Sequence, residues 1–276
     1  MSWTRDQKLA YIRERLGLAG PLTYTIVPVV GINGTLGTSL ESIWYGSNLT
    51  TYPADTGATV EWISSAAGDD GSPLGLGMGT ARVEYLDTRF IKRGGSTVLN
   101  GIGAVAAGIT NLRRTIRTYG IEPWGTNGIA SGNVDLRDTG TATIYERIVA
   151  GQRSSASARY TVPRVLNADG VRIHDCRSFF FDWWVDVNAT NTAFIIFCHS
   201  RDFTGIVGNP TTMPMVAAHG RLAAQKAGDL KFELIDPLEL TVGQDVELRG
   251  ASAAGAIPCM GGFEVWEVVL PDTVLA

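Results

Sequence analysis

The sequence predicts an all-β fold preceded by one short helix, on three observations. From Pro21 onward the apolar residues recur with a period of two, not the 3.6 of a helix. Asn33-Gly34, Asp70-Gly71, Asn100-Gly101 and Asn127-Gly128 punctuate that pattern with residues that suit tight turns. The chain is also 45% apolar over 276 residues, with 18% charged, which excludes disorder and gives enough material for a large core. Short strands between frequent turns describe a sandwich or barrel.

Residues Thr4 to Leu16 open the chain as an amphipathic helix. Thr4 and Gln7 fit a capping box, Leu9, Ile12 and Leu16 recur at helical spacing, and Gly17 stops it. A helix of about three turns is marginal alone, so it needs something to pack on. Two coverings suit it: its own domain, or a neighbouring subunit on which it docks as an arm.

Eight strands follow in the first half, at Thr23 to Val30, Ser42 to Tyr45, Thr59 to Ile63, Thr80 to Leu86, Thr97 to Asn100, Asn111 to Tyr119, Asn133 to Leu136 and Thr143 to Val149. In the fourth, Ala81, Val83 and Tyr85 share one face while Arg82 and Glu84 share the other. A second series runs through Ser157 to Val162, Val171 to Val187, Ala193 to Ser200, Leu230 to Ile235, Asp245 to Ala251 and Gly262 to Val269. The aromatic run from Phe179 to Val187 reads as the core of this half. Pro214 to Lys226 carries good helix formers and a stop at Gly228, so a short helix is expected there. The organisation expected is a helical arm over residues 1–20, a β domain over 21–150 and a jelly-roll-like domain over 151–276, with a soft boundary at Ala150-Gly151-Gln152.

Several function classes drop out on composition. The formal charge of −4 repels phosphate, and no basic stripe compensates it, so direct nucleic-acid binding is not expected. No stretch approaches the roughly 20 apolar residues of a membrane span. The polar, acidic start from Met1 to Gln7 lacks a signal peptide's apolar stretch, which places synthesis in a cytoplasm. Cys176, Cys198 and Cys259 are too few and too scattered for a disulfide framework. Arginines greatly outnumber the four lysines, a bias that suits interface ion pairs.

Motifs that could carry catalysis are weak. His174 and Cys176 share a strand face, but Cys198 and His199 are adjacent and point oppositely, so a core cysteine and a satisfied histidine explain them and no metal is expected. The chain lacks a G-x-S-x-G elbow and has only three histidines to act as bases. Asp69-Asp70, Asp182 with Asp186, and Glu264 with Glu267 are the acidic pairs a glycosidase would draw on, yet 27 acids supply such pairs by chance. The glycines at Gly75-Leu-Gly77-Met-Gly79 and Gly101-Ile-Gly103 match no phosphate-binding loop and read as turns. Arg113 and Arg117 share a strand face opposed by Arg114, which suits a solvated face or an intersubunit ion pair.

A succession of short segments carries a family likeness. It begins at Ile43-Trp-Tyr-Gly46, Ile63-Ser-Ser65, Asp69-Asp70 and Gly75-Leu-Gly-Met-Gly-Thr80. It continues through Arg82-Val-Glu-Tyr-Leu-Asp87, Val98-Leu-Asn-Gly101, Ile144-Tyr145 and Tyr160-Thr-Val-Pro163, and closes with Pro237-Leu-Glu-Leu240, Val246-Glu-Leu-Arg249 and Gly262-Phe-Glu-Val-Trp266. This order resembles a family of virion structural proteins from tailed bacteriophages, over roughly residues 41–269. The resemblance implies an all-β, non-enzymatic protein with no catalytic residues and no cofactor, located in the virion on the capsid surface. It implies a capsid decoration or cement protein, a homotrimer whose partner is the major capsid protein, with a receptor- or glycan-binding fibre module as the alternative. The anchors expected for such contacts are Leu9, Ile12 and Leu16 on the helix, with Trp44, Trp62, Trp124, Arg113 and Arg117 in the first β region.

Overall fold

A computed structural model describes residues 3–46, 51–54, 56–167, 170, 172–187, 192–199, 215–221, 228–252 and 256–270. Two units make up the chain: Met1–Ile43 together with Ala158–Ala276 form unit 1, and Trp44–Ser157 form unit 2. Unit 1 begins with α1 (Arg5–Leu16), β1 (Tyr24–Leu36) and β2 (Glu41–Ser42). Unit 2 holds β3 (Ala58–Ser64), β4 (Met78–Asp87), β5 (Lys92–Val98), β6 (Val105–Trp124), β7 (Val134–Asp138) and β8 (Ile144–Ile148). Unit 1 resumes with β9 (Arg159–Thr161), β10 (Arg164–Leu166), β11 (Ile173–Val187) and β12 (Thr192–His199). It ends with β13 (Met215–Arg221), β14 (Gly228–Leu240), β15 (Asp245–Ser252) and β16 (Ile257–Val269).

The all-β class with a short N-terminal helix is what the fold adopts. In unit 1, one sheet runs β1-β16-β11-β14, with β10 extending the start of β11; the other runs β13-β12-β15, with β2 and β9 both on the free side of β15. Counting β2 and β9 as one strand, the chain order gives sheets 1-8-3-6 and 2-7-4-5. That alternation is the double Greek key of a jelly roll. Between the sheets Val29, Phe180, Trp183, Val185 and Val265 meet Tyr160, Val246 and Leu248 in one core.

The second strand of this jelly roll is interrupted at a single point. Arg249 and Gly250 pair with Ser42 and Glu41, while Asp245 to Glu247 pair with Thr161 to Arg159. Between them, Ile43 N–H donates to the Leu248 carbonyl at 3.0 Å, and Leu248 N–H donates to that of Ala158 at 2.9 Å. Ala158 N–H closes the gap by donating to the Ile43 carbonyl at 2.9 Å. Ile43 and Ala158 together thus serve one ladder position, and all of unit 2 is inserted between them. Gly31 of β1 passes so close that an added Cβ would strike the Ile43 carbonyl and the Ala158 amide, so only glycine fits there.

A bulge in β11 explains how α1 is held. Its register shifts between Phe180 and Trp183, so both of these face the core, while Phe181 and Asp182 both turn toward α1. Ile12, fully buried, packs with Phe179, Phe181, Trp266 and Val268. Lys8 Nζ lies 3.0 Å from Asp182 Oδ2 and 5.1 Å from the Phe181 ring centroid, which makes its burial tolerable. Thr4 and Gln7 form the expected capping box, and Gly17 closes the helix at φ 63°.

Unit 2 is one antiparallel sheet in the order β5-β4-β6-β3-β7-β8 around a core of Trp62, Met78, Val83, Leu112, Leu136 and Ile148. The long β6 serves two neighbours, pairing β3 with its first half and β4 with its second. Ala81, Val83 and Tyr85 face the core as the alternation predicts.

Several expectations need correction. The chain divides at 43/44 and 157/158, not at 20/21 and 150/151, because β1 pairs with β16 along its whole length and the helix packs on that same sheet. Met215–Arg221 is a strand where a helix was expected, since pairing with β12 overrides helix propensity. The rest of Pro214 to Lys226 lies outside the described residues.

Candidate functional site

One end of unit 2 is organised by a single carboxylate. Asp69 is fully buried, a position in which a charge is stable only when its lone pairs are met. Its Oδ1 accepts from the backbone N–H of Met78 and of Ser131, both at 2.8 Å. Its Oδ2 accepts from Gly132 N–H at 2.8 Å and from the Ser64 hydroxyl at 2.6 Å. Gly77 must be glycine, because a Cβ there would collide with Asp69 Oδ1. Three loops are therefore tied to one side chain by charge-assisted hydrogen bonds. The backbone adds to the frame: Gly101 N–H donates to Asp69 O at 2.8 Å, Gly71 to Leu99 at 3.0 Å and Leu99 to Gly79 at 2.9 Å.

This rigid frame displays apolar side chains to solvent. Leu74, Leu76, Val98 and Ile102 are 44%, 60%, 52% and 65% exposed. Leu74 and Val98 flank one glycine contact, since an added Cβ at Gly79 would lie 2.5 Å from Leu74 Cδ1 and one at Gly71 would lie 2.5 Å from Val98 Cγ1. Burying what such side chains still expose releases roughly 1 kcal/mol each, and their grouping on one loop cluster makes this end the candidate interaction surface.

Val98 also ends β5, the edge strand of the sheet, and beside that strand lies a shallow notch of about 300 Å³. Arg82, Glu84, Lys92, Arg93, Gly94 and Ile116 line it. Arg117 grips Glu84 with Nε at 2.8 Å and Nη2 at 3.0 Å, and the Tyr119 hydroxyl donates to Glu84 at 2.9 Å. Hydrogen bonding from Arg117 holds the Glu84 carboxyl below its usual range, against the opposing effect of partial burial.

The eight anchors expected from sequence are not brought to one surface. Ile12 and Trp62 are buried in the cores of their own units, Trp44 and Arg113 are buried, and Leu9 and Leu16 are half-buried against the core beneath α1. Trp124 is half-buried with the Arg153 guanidinium 5.4 Å from its ring, and Arg113 lies over Phe90 at 5.2 Å. Arg117 alone of the eight stands on the face that carries the notch. Leu76 and Ile102 were missed, though a signal was present: each stands between two glycines, where no buried periodic strand can claim it.

Asp182, Glu264 and Glu267 are used internally. Asp182 and Glu264 converge on Lys8, at 3.0 and 3.6 Å, and Glu264 also accepts from Trp266 Nε1 at 2.7 Å. Glu267 turns into the sandwich and accepts from the Tyr160 hydroxyl at 2.7 Å; burial first, and then the Glu267 charge, push that phenol well above its usual range. Cys176 and Cys259 are buried, and burial pushes the Cys259 thiol up to about 12. The side chains of Cys198, His199 and His219 lie outside what is described. Among the described residues, no three His, Cys, Asp or Glu side chains gather as a metal site, and no helix is long and apolar enough to cross a membrane.

No family model matches the chain, and no curated protein matches it. Among solved structures it is similar to the Gt strain of infectious bursal disease virus, at 12% identity over 94% of this chain and 78% of that one, with a TM-score of 0.23. The VP2 subviral particle of the same virus gives 11% identity over 95% and 78%, with a TM-score of 0.22.

Proposed function

We propose that this chain is a structural protein of a tailed-phage particle that works by adhesion and transforms no substrate. Its role is that of a decoration or cement protein, a homotrimer bound to the major capsid protein at the head surface. The observation that carries this reading is the loop end of unit 2, where four large apolar side chains are exposed on a frame fixed by buried Asp69. A surface already rigid before contact loses little conformational entropy on binding, which is what an adhesive junction needs. The resemblance of segments from Ile43 to Trp266 to tailed-phage virion proteins supports the setting. A sugar-binding role has less support: Trp62, a platform such a module would use, is buried, and Tyr52 lies 4.0 Å from the Arg114 guanidinium.

Mass photometry of the purified protein and cryo-microscopy of the particle test the proposal together. A trimer, with density on the head that is lost from particles carrying Leu76→Asp and Ile102→Asp, is the expected result. A monomer absent from heads would overturn it.

A further inference from the structure

We infer that the β5 edge of unit 2 is a strand-addition site for an extended segment of a partner protein, apolar at its N-terminal end and acidic at its C-terminal end. This goes beyond the role proposed above, because it requires neither a head location nor a trimer.

Backbone geometry supplies the first part of the argument. Among the described residues, β5 pairs with β4 alone, from Thr80↔Val98 to Leu86↔Lys92 without a register shift, and no strand pairs with its other side. The ladder between β4 and β6, by contrast, is broken at three places. Bulges, prolines, edge lysines and inward-pointing charges are the devices that protect a sheet edge. The segment from Gly94 to Val98 has none of them, and most of β5 is exposed.

The two ends of the strand differ in chemistry. Lys92 and Arg93 stand at its start, and Arg82 reaches over from β4 so that its Nη2 would lie 2.8 Å from a Cβ at Gly94. Of the residues that line the notch, Arg82, Lys92 and Arg93 are cationic and Glu84 alone is anionic, so its lining is positive on balance. Residues 44–157 hold ten basic and ten acidic side chains, so this excess is a local segregation within a neutral unit. At the other end, Val98 adjoins the exposed loops bearing Leu74 and Ile102.

Every strand pair in this sheet is antiparallel. A strand added the same way meets Val98 with its first residues and Lys92-Arg93 with its last. Charge complementarity selects the partner: two copies of β5 paired across a two-fold would place Lys92 opposite Val98 and leave the cations unmatched.

The test uses the full chain and an end-capped, fluorescein-labelled peptide, Ile-Thr-Val-Thr-Thr-Glu-Glu, read by fluorescence anisotropy. Saturable binding is expected, weakening as salt rises from about 50 to about 300 mM. Lys92→Glu should weaken it about fivefold or more without lowering Tm, as loss and reversal of a cross-strand charge pair would. Ser96→Pro, which removes an N–H on the side of β5 facing away from β4, should weaken it further. Equal binding of the reversed peptide, or of one with Lys in place of Glu, overturns the inference. So does an absence of saturable binding, or protein dimerisation through β5 that Lys92→Glu leaves intact.

Discussion

Asp69 and Lys8 are both charged and both buried, and each is stable for a local reason. Asp69 has its lone pairs filled by three backbone amides and a hydroxyl, whereas Lys8 is matched by Asp182 and two aromatic rings. Glu84 is the half-exposed counterpart, and its behaviour with pH follows from the same logic. Its folded carboxyl titrates below its unfolded value, so the stabilisation it supplies is complete above the ordinary glutamate range and is lost as pH falls through the lowered one. Glu84→Gln should therefore have a lower Tm than the wild-type chain near neutral pH, with the gap closing from about pH 5 downward. A gap that stays constant between about pH 7 and about pH 3 would show that the Arg117 pairing contributes nothing.

At the scale of elements, α1 depends on the sheet beneath it. Ile12→Ala removes a fully buried side chain from between Phe179, Phe181 and Trp266 and should cost about 2–4 kcal/mol in urea unfolding. Glu14→Ala, on the exposed side, should stay within about 0.5 kcal/mol of the parent. Equal effects from the two would mean that the helix is not held on its own unit. The helix was legible in the sequence down to its caps, because Thr4, Gln7 and Gly17 act locally. The core face of β4 was legible for a similar reason, as a half-buried strand must alternate. Edge strand β5 was not: Lys92–Val98 has no fully buried residue, and its two half-buried positions are Gly95, which has no side chain, and Thr97, so no apolar alternation marks it and only its end at Thr97 was expected. The candidate surface was missed with it. Tryptophan and arginine are the anchors that interfaces favour, yet in this chain Trp62 serves a core and Trp44 and Arg113 are buried, and solvent meets leucine and isoleucine in glycine turns instead.

On the scale of the whole molecule, the split strand decides the domain plan. No composition shift marks residues 43 or 158, because both stay in the β15 ladder. The boundary was unreadable for that reason: strands were expected at Ser42 to Tyr45 and Ser157 to Val162, but nothing local says that both pair with β15. Since Ile43 and Ala158 are already hydrogen-bonded to each other, joining them through an Asn-Gly turn in place of unit 2 should leave a jelly roll. It should unfold in one cooperative transition by circular dichroism, and loss of cooperativity would count against the independence of the two units.

The pairing of Tyr24 with Val268 has a further consequence, for the order of events at the ribosome. Unit 2 is complete once residue 157 has emerged and can fold while translation continues, but β1, though made before it, waits for the last strand of the chain. Until then its apolar residues are unshielded in the nascent polypeptide, and they are a natural point of engagement for chaperones.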